Sequence, residues 1–398
     1  MTPHIVVAGR LALRDARSVE TFSIRPFRPP GDVAQLRRDV RAFLREHQPV
    51  GGAARRANCW AVGDSAFSRA LGAAGYIGMI WPKAYGGHER HPLERYVVLE
   101  ELLAAGAPVG MHWIADRQSG PLLLRYGTEA QRQTYLPAMA RGELHACIGM
   151  SEPGAGSDLA SVRTRGERTA DGWRINGQKV WTTNAHNAHV MIALVRTSEG
   201  EKRQDGLTQF LIELDRPGVS VRPIVDLAGG HDFNEVFLDD VLIPDENRIG
   251  AEGAGWKQVT AELSLERSGP ERYLSSYALL VELVRLAGGD ADPTLKALIG
   301  RFTAELWCLR QMSLSTAAKL AAGEDPALEA AMVKDLGNSF EQEMPRVVQG
   351  ALEHIDLAAP ADLSRILSVL LLVAPSFSLR GGTREILRGI VARGLGLR

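Results

Sequence analysis

Ser151-Glu152-Pro153-Gly154-Ala155-Gly156-Ser157-Asp158 is the stretch on which the reading of this chain turns, with Trp181-Thr182-Thr183-Asn184 following it closely. Two glycines and an alanine between hydroxyl residues let backbone N–H groups come close to an acceptor-rich partner. A phosphate or the polar edge of a flavin ring suits such a loop. On spacing alone the stretch reads more readily as a plain turn.

Around it the hydrophobic period changes twice. From residue 32 to about 144 the pattern is helical, with Val33, Leu36, Val40, Phe43 and Leu44 at three- and four-residue steps. Further helical stretches are expected over 64–74, 93–105 and 128–141, the last opened by Thr128 as N-cap and Glu129 in the first turn. From about 146 to 249 the pattern is β-like. Asn176-Gly177 is a hairpin-turn signal, Pro217-Gly218 a second turn, and 190–195, 210–214, 219–224 and 237–244 read as strands. Helical period returns at 255, in pieces expected over 256–286, 293–322, 325–354 and 383–393.

The two motifs resemble, in order and separation, the flavin-contacting segments of the acyl-CoA dehydrogenase family, and the resemblance extends over nearly everything from Asp32 onward. It implies an α+β, acyl-CoA dehydrogenase-like fold: an N-terminal all-α domain (32–145), a middle β-barrel-like domain (146–250) and a C-terminal four-helix bundle (251–398). Residues 1–31 are a basic, proline-punctuated N-terminal extension, either a small extra element or a start placed too early.

The resemblance also implies FAD as cofactor. Ile148, Met150, Ser151, Gly156 and Ser157 match the segment along the isoalloxazine, with Ser151 near N5 and Ser157 toward the acyl-CoA. Trp181, Thr182 and Thr183 match the second contact. Gly382-Thr383-Arg384-Glu385 resembles the entry to the last helix, where Thr383 and Glu385 meet the cofactor and a helix N-terminus favours anionic groups. Substrate contacts carried over are Ser157, Ser264, Arg267, Gly381 and Gly382. Met111, His112, Trp113 and Gln118 read either as acyl-pocket lining or as core.

The family's α-proton base often precedes the Gly-Thr of the C-terminal segment. Here that position is Gly381, which cannot take a proton. Isovaleryl-type relatives place a Glu before an Arg in the first helix after the β domain, and Leu263-Ser264-Leu265-Glu266-Arg267 stands there. Glu266 is therefore the expected base and Arg267 its neighbouring cation, with Glu262 and Glu271 as fallbacks. Two segments that reach a neighbouring subunit's FAD in many tetramers, Asp-Arg-x-x-Phe-Gly and Gln-x-x-Gly-Gly, are not found between 287 and 379. A homo-oligomer (dimer or tetramer) and a heteromer with a related subunit stay equally open.

The expected activity is α,β-dehydrogenation of an acyl-CoA, passing electrons to an electron-transferring flavoprotein; Gly381 with Glu266 resembles members acting on branched or bulky acyl groups. Competing readings are an FAD-holding structural subunit of a heteromeric enzyme, and a flavin oxidase or monooxygenase on the same fold. The remaining numbers exclude classes. A net charge of −1 with 23% charged residues gives no electrostatic footprint for nucleic acid. Three cysteines without metal-ligand spacing read as reduced thiols in a cytoplasmic protein. The apolar run 366–374 is short of the ~20 residues of a spanning helix, and the N-terminus lacks the apolar core of a secretory signal.

Overall fold

The computed structural model describes residues 22–27, 32–47, 51–288, 292–354 and 360–397, with the side chains at 263–266 and 354 outside the description. Residues 1–21 and 28–31 of the expected N-terminal extension also lie outside it.

Among the described residues, six α-helices come first: α1 (Val33–Glu46), α2 (Ala53–Ala57), α3 (Ser65–Ala73), α4 (Pro92–Ala104), α5 (Gly120–Tyr126) and α6 (Glu129–Ala140). Local chemistry starts them well. Asp32 accepts from Gln35 N on α1, Asp64 from Phe67 N on α3, and Thr128 with Gln131 forms a reciprocal capping box on α6. Just before α5, residues Ala115–Ser119 form a π-helical turn, the kind of extra-residue bulge that accompanies functional positions.

The π-turn is followed by Gly120, where a Cβ would lie 2.1 Å from the fully buried Trp81 ring. Only hydrogen fits between that backbone and the indole.

The sheet domain follows: β1 (Ala146–Gly149), β2 (Arg165–Thr169), β3 (Gly172–Thr183), β4 (Val190–Arg196), β5 (Leu207–Glu213), β6 (Val219–Ile224), β7 (Phe233–Ile243) and β8 (Arg248–Ile249). The order is β6-β7-β3-β2-β4-β5-β8, with β1 parallel to β4. Pro217-Gly218 does turn the chain between β5 and β6.

Asn176-Gly177 does not form a hairpin turn. It lies inside the twelve-residue β3, where the register against β7 shifts between Ile175 and Gly177. The pair is a β-bulge: Gly177 has φ +154, and a Cβ there would meet Thr164 Oγ1 at 2.5 Å. Asn176 bridges to the neighbouring strand, its Nδ2 donating to Asp240 Oδ1 at 3.0 Å and its Oδ1 accepting from Asp240 N at 2.9 Å. The turn instead falls between Thr169 and Gly172, which pair across β2 and β3.

Among the described residues, six more α-helices follow: α7 (Gly255–Glu266), α8 (Tyr277–Ala287), α9 (Pro293–Ala321), α10 (Ala327–His354), α11 (Ala361–Val373) and α12 (Arg384–Gly394). The single helix expected over 256–286 is broken after Glu266. Gly269 leaves the helical region at ψ 170 and Pro270, which has no N–H to continue the ladder, starts a 3₁₀ turn. Helix α11 contains the apolar run 366–374 up to Val373 and extends it at its N-terminal end. With the following turn it reaches 18 residues of mean hydropathy 1.4, long and apolar enough by composition to cross a membrane. Its residues Leu363, Ile366, Leu370 and Val373 are nevertheless buried in the helical core.

One apolar cluster joins helices from both ends of the chain, and a second fills the sheet around Trp173 and Phe210. A third, small cluster sets Ala155 and Val162 against Val259 of α7, so the octapeptide loop is packed onto the helix that ends at Glu266. Residues 22–27 lie across the C-terminal helices, Ser23 N donating to Glu329 and Arg25 N to Ser315 Oγ. Cys59 and Cys147 are buried thiols and Cys308 is exposed.

Candidate active site

The octapeptide begins with a tight turn in which Glu152 and Ala155 exchange backbone hydrogen bonds at 3.0 Å, leaving Pro153-Gly154 at the tip. Ser151 O accepts from Val180 N, stapling the loop to β3. Beneath it lies a buried ion pair. Lys179 Nζ, fully buried, donates to Glu152 Oε1 at 2.7 Å, to Leu194 O at 2.6 Å and to Met150 O at 3.3 Å. The Glu152 carboxylate also accepts from Arg163 N and Thr164 N. Burial pulls the Lys179 ammonium down to about 8, with Glu152 opposing. Burial alone would raise Glu152, but Lys179 and the two N–H donors hold it below its ordinary value.

Trp181 occupies a second irregularity of β3, where the register slips between Lys179 and Thr182. Its φ is +60, a left-handed backbone that costs a non-glycine residue on the order of 1–2 kcal/mol. The effect is to turn the indole outward: Trp181 is 58% exposed, edge-on to Phe233. Asn184, also left-handed, ties this strand end to the N-terminal helices by donating to Ala61 O and Gly110 O.

These elements open onto a cleft of about 700 Å³. Ile148, Met150, Ser151, Gly156, Ser157, Trp181 and Thr183 line its sheet side. Arg267, Gly381, Gly382 and Thr383 line its helical side. Arg267 Nε donates to Gly381 O at 3.4 Å, and Lys334 Nζ to Gly382 O at 2.8 Å. Gly381 has φ +65 and Gly382 φ +104, so a carboxylate-bearing residue at 381 would sit in the left-handed region.

Of the other candidates, Thr182 is wholly buried and pairs with Asn234, away from the lining. Glu385 is exposed in the first turn of α12, and Thr383 is that helix's N-cap. The side chains of Ser264 and Glu266 lie outside the described residues. Glu262 is buried and accepts from Gln209 Nε2 at 3.0 Å, toward the sheet. Glu271 does line the cleft, 3.0 Å from Arg117. Trp113 and Gln118 line it too, whereas His112 is core, its Nδ1 2.8 Å from Ser68 Oγ, and burial holds it down to about 4.

Sequence reasoning passed over Trp60, Arg117, Arg272 and Arg380, all of which line the cleft. Only Arg380 carried a signal, as the residue directly before Gly381-Gly382.

The arrangement is that of a flavin-dependent acyl-CoA dehydrogenase. The family description "Acyl-CoA dehydrogenase, N-terminal domain" matches residues 31–143, and "Acyl-CoA dehydrogenase, middle domain" matches 147–241. Acyl-CoA dehydrogenase IpdE1 of Mycobacterium tuberculosis (strain ATCC 25618 / H37Rv) is 33% identical over 92% of this chain and 98% of its own length. Among solved structures, the Tcur3481-Tcur3483 steroid ACAD is similar at a TM-score of 0.83 and 28% identity, covering 93% of this chain and 98% of that one. The ChsE4-ChsE5 complex from Mycobacterium tuberculosis is similar at 0.78 and 27%, covering 93% and 99%. The chain belongs to the acyl-CoA dehydrogenase family. It is an oxidoreductase of that FAD-dependent family, and its residues fit the cofactor: an outward-turned indole, a hydroxyl-bearing loop open at Gly154 and Gly156, and a helix N-cap meet at one cleft.

Proposed function

We propose that this chain removes an α-proton and a β-hydride from a branched or polycyclic acyl-CoA, giving the trans-2-enoyl thioester, with Glu266 as the α-proton base. The observation that carries the reading is the contact of Arg267 Nε with Gly381 O. It brings Arg267, the residue next to Glu266, against the position that the family's commoner base would occupy, which supports a base at Glu266. Bound FAD supplies the acceptor for the hydride. Ser151 and Thr183 would hold its polar edge, Trp181 would lie against its ring, and Thr383 with the N-terminus of α12 would face its anionic groups. Arg267 stabilises the carboxylate that receives the proton. A glycine at 381 leaves room for branching beside the reacting carbons. The bulky substrate class agrees with the steroid named for the Tcur3481-Tcur3483 enzyme.

The working assembly we propose is a heteromer with a related chain in the cytoplasm, passing electrons to an electron-transferring flavoprotein. Support comes from the two-component neighbours, from the missing diphosphate-reaching segments, and from exposed Val284, Trp307, Leu336 and Leu372 on the C-terminal helices. The test is anaerobic titration of FAD-loaded protein with straight, branched and cyclic acyl-CoAs, alone and with its partner. Loss of the flavin band with branched or cyclic thioesters is expected; no bleaching with any of them sinks the assignment.

Glu271 is the specific rival for the base. It lines the cleft, and its Oε2 is buried without a hydrogen-bond partner while Oε1 pairs with Arg117. Comparing Glu266→Gln with Glu271→Gln separates them: the variant that retains FAD yet no longer bleaches identifies the base.

A further inference from the structure

Gln118 lines the cleft but takes no part in the chemistry proposed above. It sits in the π-turn Ala115–Ser119, and the chain is bolted down on both sides of it. Two residues earlier, Asp116 Oδ1 accepts from Gly78 N at 2.8 Å and Oδ2 pairs with Arg95 Nη2 at 2.6 Å. Two residues later, Gly120 lies against the Trp81 ring with no room for a Cβ. Turns of this kind collect at functional positions. The two side chains this one delivers to the cleft are Arg117 and Gln118.

Arg117 Nη2 donates to Gln118 Oε1 at 3.3 Å, and Nη1 donates to Glu271 Oε1 at 3.0 Å. A guanidinium has donors only, so the carbonyl end of the Gln118 amide is the end turned toward Arg117. That leaves the NH₂ end: among the described residues nothing accepts from Nε2. Gln118 is only 7% exposed, so this donor opens onto the cleft and not onto bulk water. The wall around it is apolar. Trp113 and Ile114, five and four residues earlier, are buried and line the same cleft.

An acyl group that met this wall with hydrocarbon alone would strip water from Nε2 and leave the donor unpaired. An oxygen at the same point pairs with it, and because the amide is already held, little side-chain freedom is lost on binding. The donor is neutral and Glu271 lies just across Arg117, which favours a neutral oxygen over a carboxylate. We propose that the acyl group accepted here carries an uncharged acceptor oxygen, a ketone or hydroxyl, and that Gln118 Nε2 donates to it. Gln118 is then a specificity-determining residue: a site built to donate to an oxygen rejects the analogue that lacks one. The inference rests on the acyl-CoA reading above and adds to it a feature of the substrate.

The test uses FAD-loaded protein, with its partner chain where loading requires it. Anaerobic titrations compare oxocyclohexylpropionyl-CoAs, the ketone placed at successive ring carbons, with the matching methylenecyclohexylpropionyl-CoAs, in which =CH₂ replaces =O at nearly the same shape. Affinity is read from the flavin band, or by competition where a thioester binds without bleaching. For at least one ring position the ketone should bind at least about fivefold more tightly, as expected of a hydrogen bond to a buried donor. Gln118→Glu keeps the side-chain length and an oxygen for Arg117 but offers the cleft an acceptor in place of the donor; there the ratio should fall to one or below. Gln118→Met removes the polar end altogether and should bring it close to one. Equal or tighter binding of every methylene analogue by the wild-type protein overturns the inference, even if neither variant folds. A ketone preference that survives in both variants overturns it as well. Binding of no thioester at all overturns the acyl-CoA reading instead, a distinct outcome.

Discussion

The two sides of the cleft are built by different means. The sheet side is held by backbone: loop 151–158 is closed by its own turn, stapled to β3 through Val180 N, and aimed by a bulge that turns Trp181 outward. The helical side is held by long cationic side chains. Arg267 and Lys334 grip the Gly381 and Gly382 carbonyls, and Arg117 pairs with Glu271 across 154 residues of sequence. A hydride acceptor must be positioned rigidly, which backbone does well. A proton acceptor must be tuned electrostatically, which requires charges brought from several elements.

The sharpest way to break this comparison is at Glu266. Glu266→Gln should lower the rate of flavin bleaching by about 10²- to 10⁴-fold, the usual worth of a general base, with FAD content and melting temperature kept. A rate within a few-fold of wild type in the loaded variant would move the proton-transfer role to another residue.

On the sheet side the corresponding blow is to the anchor beneath the loop. Lys179→Met leaves the Glu152 carboxylate buried without its cation and should cost about 3–5 kcal/mol in denaturant unfolding. It should also lower FAD retention on gel filtration; full loading at unchanged stability would mean the ion pair does not hold the loop.

A pH titration comes next in size. Burial, opposed in part by Asp116, holds His112 down to about 4, against an ordinary 6.5. The unfolded chain therefore binds a proton between pH 6.5 and 4 that the folded chain refuses, so stability rises with pH across that window and levels off above it. The shift is worth about 3 kcal/mol, and melting curves from pH 4.5 to 7 should show a slope that His112→Gln reduces without abolishing, because burial holds His145 down to about 4 as well.

The smallest expected effect is at the bulge. Gly177→Ala, meeting Thr164 in a strained backbone, should cost about 1–3 kcal/mol in stability. Because the bulge lies four residues from Trp181, where β3 first reaches the cleft lining after Val180, it should leave bleaching by substrate almost unchanged. A loss of activity greater than tenfold would tie the whole of β3 to the cofactor.

The same contrast explains what could be read from sequence. The sheet side is contiguous, so the octapeptide and Trp181-Thr182-Thr183-Asn184 announced it, and capping at Thr128 announced α6. The resemblance named Thr182 with its neighbours, whereas the bulge leaves Trp181 and Thr183 on the cleft and Thr182 buried, a side that spacing does not count. Asn176-Gly177 misled for a related reason: left-handed tolerance serves a bulge as well as a hairpin. The helical side converges from residues 60, 117, 267, 272 and 380, and no local pattern predicts such a meeting. Gly269-Pro270 was legible as a break, yet the continuous period over 256–286 concealed it.

Trp81 has a consequence of another kind. Its buried ring leaves no room for a Cβ at Gly120, the residue that follows the π-turn carrying Arg117 and Gln118. A lineage that enlarged position 120 would first have to shrink position 81, and a smaller side chain at 81 would free the π-turn to drift. The two positions should therefore change together or not at all, so one aromatic ring outside the cleft sets which substitutions near Arg117 evolution can reach.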